Sequence, residues 1–84
     1  MKHLLNEIAG KANNFYCGDM NDCRTTLEEI HELVRKGLKK GYDRPLFIEM
    51  LGKSNLDNCG GDEQDMRTAL DELSVLARNA MKNL

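Results

Sequence analysis

The chain contains an internal repeat, because its two halves of about 42 residues are related in sequence. When residues 4–18 are aligned with 46–60, and 19–39 with 62–82, 16 of the 36 aligned pairs are identical. The second half carries one additional glycine, Gly61. A repeat of this length is typical of a chain built from copies of one supersecondary unit. The two halves are therefore expected to adopt the same local structure, which restricts the possible folds more than any other feature.

Each half predicts a short helix, a loop and a long helix. Apolar residues at helical spacing indicate a first helix at about 3–13 and a longer amphipathic helix at about 22–40. Gly41 is expected to take the left-handed position after that helix, and Asp43 is expected to cap a third helix that has Pro45 in its first turn. A fourth helix is predicted from the acidic stretch at 62–65 to near the C-terminus.

Either half alone would expose an apolar stripe that it cannot bury. Two such halves related by a pseudo-two-fold axis would cover each other. The sequence therefore predicts an all-α, small four-helix domain built from two tandem helix-loop-helix repeats. This single helical domain spans residues 1–84, with repeat 1 at about 3–41 and repeat 2 at about 45–84.

Composition and charge exclude several classes of protein. The hydrophobic fraction of 40% with 31% charged residues is ordinary for a globular protein and atypical of a disordered one. No apolar run is long enough for a membrane span, and the N-terminal residues do not resemble a signal peptide. The net charge of −2 gives the whole molecule no electrostatic preference for nucleic acid. Three cysteines, an odd number, argue against a secreted disulfide scaffold and favour a cytoplasmic location.

The sequence predicts no catalytic, cofactor-binding or metal site, and hence no enzyme. It contains no phosphate-binding loop, nucleophile elbow, paired-cysteine redox motif or zincin signature. Calcium binding of the EF-hand type fails, since Arg24 and Met66 stand where each loop needs a bidentate glutamate. A zinc site would need the three cysteines and one histidine, but their spacing does not match a known zinc motif. The residues of that disfavoured set are Cys17, Cys23 and Cys59 with His3 or His31.

Several charged residues that both halves share have structural explanations. Glu7 and Lys11 form a favourable i,i+4 pair, and so do their counterparts Glu49 and Lys53. An arginine in the first turn of a long helix opposes the helix dipole, yet it occurs in both halves. We therefore expect an ion pair between helices within each half. The predicted pairs are Glu7 with Arg24 and Glu49 with Arg67.

The same comparison applies to the glycines of the short helices. Gly10 and Gly52 occupy equivalent positions near the predicted ends of the first and third helices. We expect each either to end its helix in the left-handed conformation or to allow close approach of another helix. Both explanations are structural, and neither requires a ligand.

Function is expected where the halves differ, at surfaces that bind a partner. The candidate residues are an aromatic pair without a counterpart in the second half and the side chains of a basic central turn: Phe15, Tyr16, Arg35, Lys36, Lys39, Lys40, Tyr42 and Arg44. They predict a small, non-enzymatic, cytoplasmic regulatory protein of the adaptor or inhibitor type, which binds another protein or a second copy of itself. Two alternatives remain open: a weak nucleic-acid-binding regulator that uses the basic turn at 35–44, and a thiol- or metal-dependent module.

Overall fold

The structure, a computed structural model, describes residues 1–12, 18–55 and 63–83. These ranges contain four helices and no strand, which confirms the predicted all-α class. Two helices of 10 residues alternate with two of 20 residues. The helices are α1 (Lys2–Lys11), α2 (Met20–Lys39), α3 (Arg44–Lys53) and α4 (Glu63–Lys82).

The junction between α2 and α3 follows the predicted capping pattern. Gly41 has a φ of +77°, and its N–H donates to the carbonyl of Leu38 at 3.1 Å. The N–H of Tyr42 donates to the carbonyl of Gly37 at 3.2 Å, which completes a Schellman motif. The Asp43 side chain then accepts from the N–H of Leu46 and begins α3. Four residues, 40–43, thus reverse the chain.

The helix boundaries differ slightly from the predicted ones. α2 begins at Met20, two residues earlier than predicted, because Asp19 is its N-cap. The Asp19 side chain accepts from the backbone N–H of Asp22 at 2.9 Å. Asp22 therefore lies at the third helical position, where a carboxylate still favours the positive end of the helix dipole. α1 ends at Lys11, and Ala12 is its C-cap.

The core lies mainly between the two halves of the chain. α1 packs most extensively against α4, and α2 packs next most extensively against α3. The contacts of α1 with α2 and of α3 with α4 are less extensive. Leucine, isoleucine and methionine supply most of this core, as expected for a chain without tryptophan. Its largest fully buried side chains are Phe47, Leu5, Ile8, Leu27, Ile30, Met50, Met66, Leu70, Leu73 and Val34.

Close packing of α2 on α3 depends on Gly37. A Cβ at this position would lie 2.8 Å from Cδ1 and 2.9 Å from Cζ of the Phe47 ring, and closer still to Cε1. The absence of a side chain on Gly37 is therefore what makes room for the phenylalanine. In the sequence repeat, the counterparts of Gly37 and Phe47 are Ala80 and Leu5. The second half thus has a larger residue at the position of the glycine, and the first half has a smaller residue at the position of the phenylalanine.

Gly10 and Gly52 do not have the roles predicted for them. Both lie inside their helices rather than after them, and neither has a positive φ. A Cβ at either position would meet no described atom within 4 Å. The prediction was wrong, because the helices continue past these residues and, among the described residues, no neighbouring helix approaches them.

Candidate functional site

The basic residues that precede and follow the central turn are all solvent-exposed. We define the basic surface as Arg35, Lys36, Lys39, Lys40 and Arg44. The first three belong to the last turns of α2, Lys40 is the C-cap of that helix, and Arg44 is the first residue of α3. Cations at the end of a helix are stabilised by its negative dipole end, so part of this pattern is helix chemistry. The remaining question is whether the cations converge.

Three of the five cations converge on one depression of about 380 Å³. Arg35, Lys36 and Lys39 line it together with Glu32 and Leu33. Glu32 lies 3.9 Å from the Arg35 guanidinium, so it neutralises only part of the local charge. The buried Leu33 adds an apolar element to the depression. The depression therefore combines an excess of positive charge with a small apolar contact.

The aromatic candidates have different positions. Tyr42 is half-buried and packs against the core, with its ring centroid 6.2 Å from that of Phe47 and a tilt of 45° between the rings. Its contribution to a partner surface is therefore limited to the exposed edge of the ring. Phe15 and Tyr16 lie outside the described residues, so their proposed partner contact stays a prediction.

Each half contains an ion pair between its two helices. In the first half, Lys11 Nζ lies 2.6 Å from Glu29 Oε2. In the second half, Lys53 forms the corresponding contact with Glu72. The sequence repeat aligns the two lysines with each other and the two glutamates with each other. Because the pair occurs at the same position in both halves, it belongs to the way in which the short helix packs on the long helix of each half.

The predicted pairs of Glu7 with Arg24 and of Glu49 with Arg67 stay predictions. The structure shows the Arg67 guanidinium 3.6 Å from Glu63, one turn earlier on the same helix. The pKa of Lys11 is raised mainly by its hydrogen bond to Glu29, and that of Lys53 by its hydrogen bond to Glu72. Glu7 and Glu49, one turn earlier on the same helices, make a smaller contribution in the same direction. Sequence reasoning missed Glu29 and Glu72. The sequence did contain one indication of these partners. Both glutamates occupy the same position in the repeat, on the long helix that faces the lysine.

The two ion pairs predict a loss of stability at alkaline pH. The hydrogen bond to Glu29 raises the pKa of Lys11, and the hydrogen bond to Glu72 raises that of Lys53. A raised lysine pKa stabilises the fold below the unfolded value of about 10.4, and this stabilisation is lost as pH rises through the folded value. We expect the wild type to lose its advantage over a Lys11→Met/Lys53→Met variant as the pH rises above about 10.4. Exposed pairs contribute about 0.2–1 kcal/mol each.

Urea denaturation of both proteins at pH 8 and at alkaline pH measures this difference. The variant serves as the control for every other effect of alkaline pH, because all other ionisable groups are common to both proteins. A stability difference that stays constant over the whole range would contradict the ion-pair interpretation.

His31 and Cys23 have structural partners. His31 Nδ1 lies 3.0 Å from Ser54 Oγ, which in turn donates to the carbonyl of Leu51 at 3.2 Å. Since the hydroxyl proton is used by Leu51, His31 Nδ1–H is the donor to Ser54. Cys23 is fully buried and disulfide-bonded, whereas the odd cysteine count had favoured reduced thiols. The other cysteines, Cys17 and Cys59, lie outside the described residues.

Metal coordination finds no support in the part of the chain that the structure describes. No cluster of three or more His, Cys, Asp or Glu side chains is placed to hold an ion there. The sulfur of Cys23 is in a disulfide and is therefore not a thiolate ligand. The disfavoured Cys₃His set is thus incomplete while this bond is intact.

A second surface feature was not predicted from the sequence. Ile48 on α3 and Val75 on α4 are large apolar residues that are 50% and 56% exposed. Their counterparts in the first half are polar, Asn6 and Glu32. Val75 and Leu76 line a depression of about 290 Å³ beside the ion pair of α3 with α4. Isolated exposed apolar residues are common on protein surfaces, so this feature does not identify a site by itself.

Comparisons with known proteins leave these surfaces to be interpreted from their own chemistry. None of the helices in the described ranges is long and apolar enough to cross a membrane. No protein-family model matches the chain, and neither a curated protein nor a solved structure is significantly similar to it.

Proposed function

We propose that the protein is a non-enzymatic regulator that binds an acidic surface of another protein through its basic surface. The observation that carries this proposal is the convergence of Arg35, Lys36 and Lys39 on one depression. Residues 35–44 contain five cations and one carboxylate, although the whole chain has a net charge of −2. The molecule therefore has a strong charge asymmetry. Such asymmetry orients a partner of opposite charge and increases its association rate.

The chemistry of the depression favours a protein partner over a nucleic-acid backbone. Glu32 lines the depression beside Arg35, and its carboxylate repels a phosphate and an acidic side chain alike, so the apolar lining is what distinguishes the two partners. Leu33 supplies apolar contact next to the cations. Mixed apolar and charged contact is typical of protein interfaces. An acidic side chain accompanied by an apolar one fits both features.

The alternative of DNA binding through a helix-turn-helix would require α3 to read base edges. Phe47 and Met50 are fully buried in the core and are therefore not available for such contacts. The exposed side chains of α3 include one arginine, Arg44, together with Glu49 and the apolar Ile48. Specific base contacts depend mainly on Arg, Lys, Asn and Gln. This helix is consequently a poor recognition helix, and DNA binding is kept as an outcome of the test.

Affinity capture with charge-reversal variants tests the proposal. The Lys36→Glu/Lys39→Glu variant reverses two cations at the depression, while Lys2→Glu/Lys82→Glu makes the same change in net charge at exposed lysines on α1 and α4. We expect the first variant to recover at least tenfold less of the proteins captured by the wild type from a native cell extract. The control is expected to recover amounts within about twofold of the wild type, because long-range charge effects are screened beyond about 10 Å.

Circular dichroism verifies that both variants remain helical before capture. Equal recovery by the two variants would contradict a role for the basic surface. Recovery that disappears after nuclease treatment would support the nucleic-acid alternative and reject the protein partner.

The proposal also includes the origin of the scaffold as a duplicated unit with pseudo-two-fold symmetry. It is supported by the repeat-equivalent ion pairs Lys11–Glu29 and Lys53–Glu72. It is further supported by the pattern of contacts, since α1 on α4 and α3 on α2 are equivalent pairs in the repeat. Function then depends on differences between the halves. Asn79 replaces Lys36 in the second half, which leaves that half without the same cluster of cations.

The predicted cytoplasmic location remains part of the proposal. Disulfides are rare in a reducing cytoplasm, so the disulfide of Cys23 counts against this part of the proposal, and the redox state of Cys23 in intact cells tests it directly. Trapping free thiols with an alkylating reagent before lysis, followed by mass analysis, distinguishes a reduced from an oxidised Cys23. A fully oxidised Cys23 would contradict the cytoplasmic assignment.

A further inference from the structure

The two halves of the chain are joined by one tight turn at residues 40–43. This turn depends on the left-handed conformation of Gly41 and on the two backbone hydrogen bonds of the Schellman motif. α2 ends immediately before the turn and α3 begins immediately after it. In this closed conformation, the turn brings the α3–α4 half against the α1–α2 half of the same chain and of no other.

Most of the packing occurs between the halves rather than within them. The two most extensive helix contacts, α1 with α4 and α2 with α3, both cross from one half to the other. Phe47 illustrates the consequence, because its fully buried ring packs over Gly37 of the other half. A half that separates from its neighbour would expose most of its apolar surface and would need a replacement.

The ion pairs, in contrast, lie within the halves. Lys11–Glu29 joins α1 to α2, and Lys53–Glu72 joins α3 to α4. Separation of the halves would leave both pairs intact. Each half can thus keep its internal charge contacts while it changes its packing partner.

From these observations we propose that the surface between the halves also accepts the complementary half of a second copy of this chain. Two chains would exchange their α3–α4 halves and form a closed dimer with two-fold symmetry. The helix contacts between the halves are regained in the dimer, and the change of conformation is confined to the connection at 40–43 with the ring of Tyr42. The occupant is a second copy, because no other partner supplies the same complementary core. This inference does not depend on the proposed partner of the basic surface.

Gly41 determines the balance between the monomer and the exchanged dimer. In the monomer this residue has a φ of +77°, a conformation that is costly for L-residues and most costly for β-branched ones. A straightened connection in the dimer would remove that requirement. A substitution that is strained at positive φ should therefore favour the dimer, whereas asparagine tolerates this conformation. Gly41→Val and Gly41→Asn form a matched pair at one position.

Sedimentation velocity and native mass spectrometry on the full-length chain test the proposal. We expect the dimer association constant of Gly41→Val to exceed that of the wild type by about 100-fold, since each dimer relieves the strain at two such residues and the strain at each corresponds to roughly a tenfold factor. Gly41→Asn is expected to stay within about threefold of the wild type. Reductant in all samples excludes dimers joined by intermolecular disulfides.

The rate of dissociation separates an exchanged dimer from a surface contact. Separation of exchanged chains requires opening of the core between the halves, so diluted dimer should persist for minutes or longer. Dimer that disappears within seconds of dilution would overturn the proposal, as would a folded Gly41→Val variant that remains monomeric at every concentration. If Gly41→Val is not helical, wild-type chain refolded at high concentration replaces it. A slowly dissociating dimer then supports the proposal, and only monomer overturns it.

Discussion

Truncation of Phe47 to alanine is expected to lower the free energy of unfolding by about 3–5 kcal/mol. Phe47 has the largest side chain among the fully buried residues, and its ring fills the space above Gly37 beside Tyr42. The glycine cannot extend a side chain into the resulting cavity, so little of the volume would be recovered. Natural domains are stable by about 5–15 kcal/mol, and an 84-residue chain belongs to the lower part of that range. We therefore expect a variant that is close to its unfolding midpoint at room temperature.

Urea denaturation followed by circular dichroism measures this loss. Ile48→Ala is the matched control, because Ile48 is the next residue on the same helix and is half-exposed. Its change in stability is expected to stay within about 0.5 kcal/mol. Equal losses in the two variants, or a Phe47→Ala loss below about 1 kcal/mol, would contradict the assigned packing.

Replacement of Gly37 by alanine is expected to destabilise the protein by about 1–3 kcal/mol, although alanine is the better helix former. The new methyl group would overlap the Phe47 ring, and the ring is fully buried and has no free space to enter. Gly52→Ala provides the opposite case, because the added Cβ meets no described atom within 4 Å. That control is expected to gain up to about 1 kcal/mol from helix propensity. Replacement of glycine by alanine should thus lower the free energy of unfolding on α2 and raise it on α3.

A second substitution distinguishes the steric explanation from a general effect on α2. Phe47→Leu removes the clashing part of the ring, and leucine is the residue at the equivalent position of the first half, Leu5. In the Gly37→Ala background it should recover at least about 1 kcal/mol relative to the sum of the single effects. Additive losses in the double variant would show that the glycine and the ring do not interact.

Local interactions explain why the helices and the central turn were predictable. The Asp43 cap, the left-handed Gly41 and the position of Pro45 in the first turn involve only residues close in sequence. The early start of α2 was missed because two carboxylates, Asp19 and Asp22, are both suitable at a helix N-terminus. Which of the two is the N-cap depends on which backbone N–H its side chain reaches, and the sequence pattern does not contain that geometry.

The partners of the charged and polar residues were harder to predict. Lys11 was assigned to its own helix, but the structure pairs it with Glu29 across the hairpin. No partner was predicted for His31, and its contact with Ser54 joins α2 to the end of α3. These contacts depend on the rotation of each helix about its axis. A spacing pattern shows which face is apolar but leaves the neighbour of each polar side chain open.

The candidate site shows the same division between local and tertiary information. The five cations around the central turn were predicted as a group because they are close in the chain. Three of them, Arg35, Lys36 and Lys39, line one depression with Leu33 because of their spacing on α2. The inward position of Tyr42, in contrast, follows from its packing on Phe47. The exposure of Ile48 on α3 and of Val75 on α4 was not predicted as a surface feature, although neither residue belongs to the buried face of its helix.

The sequence by itself determined the helical class, the number and order of the helices, the turn at Gly41 and the relation between the two halves. These features depend on backbone preferences and apolar periodicity, which act over a few residues. Only the tertiary structure decided that α1 packs on α4 and α2 on α3, that Gly37 makes room for Phe47, and which glutamate each lysine contacts. Those choices depend on the volume and orientation of side chains distant in sequence, and they are set when the two halves pack together.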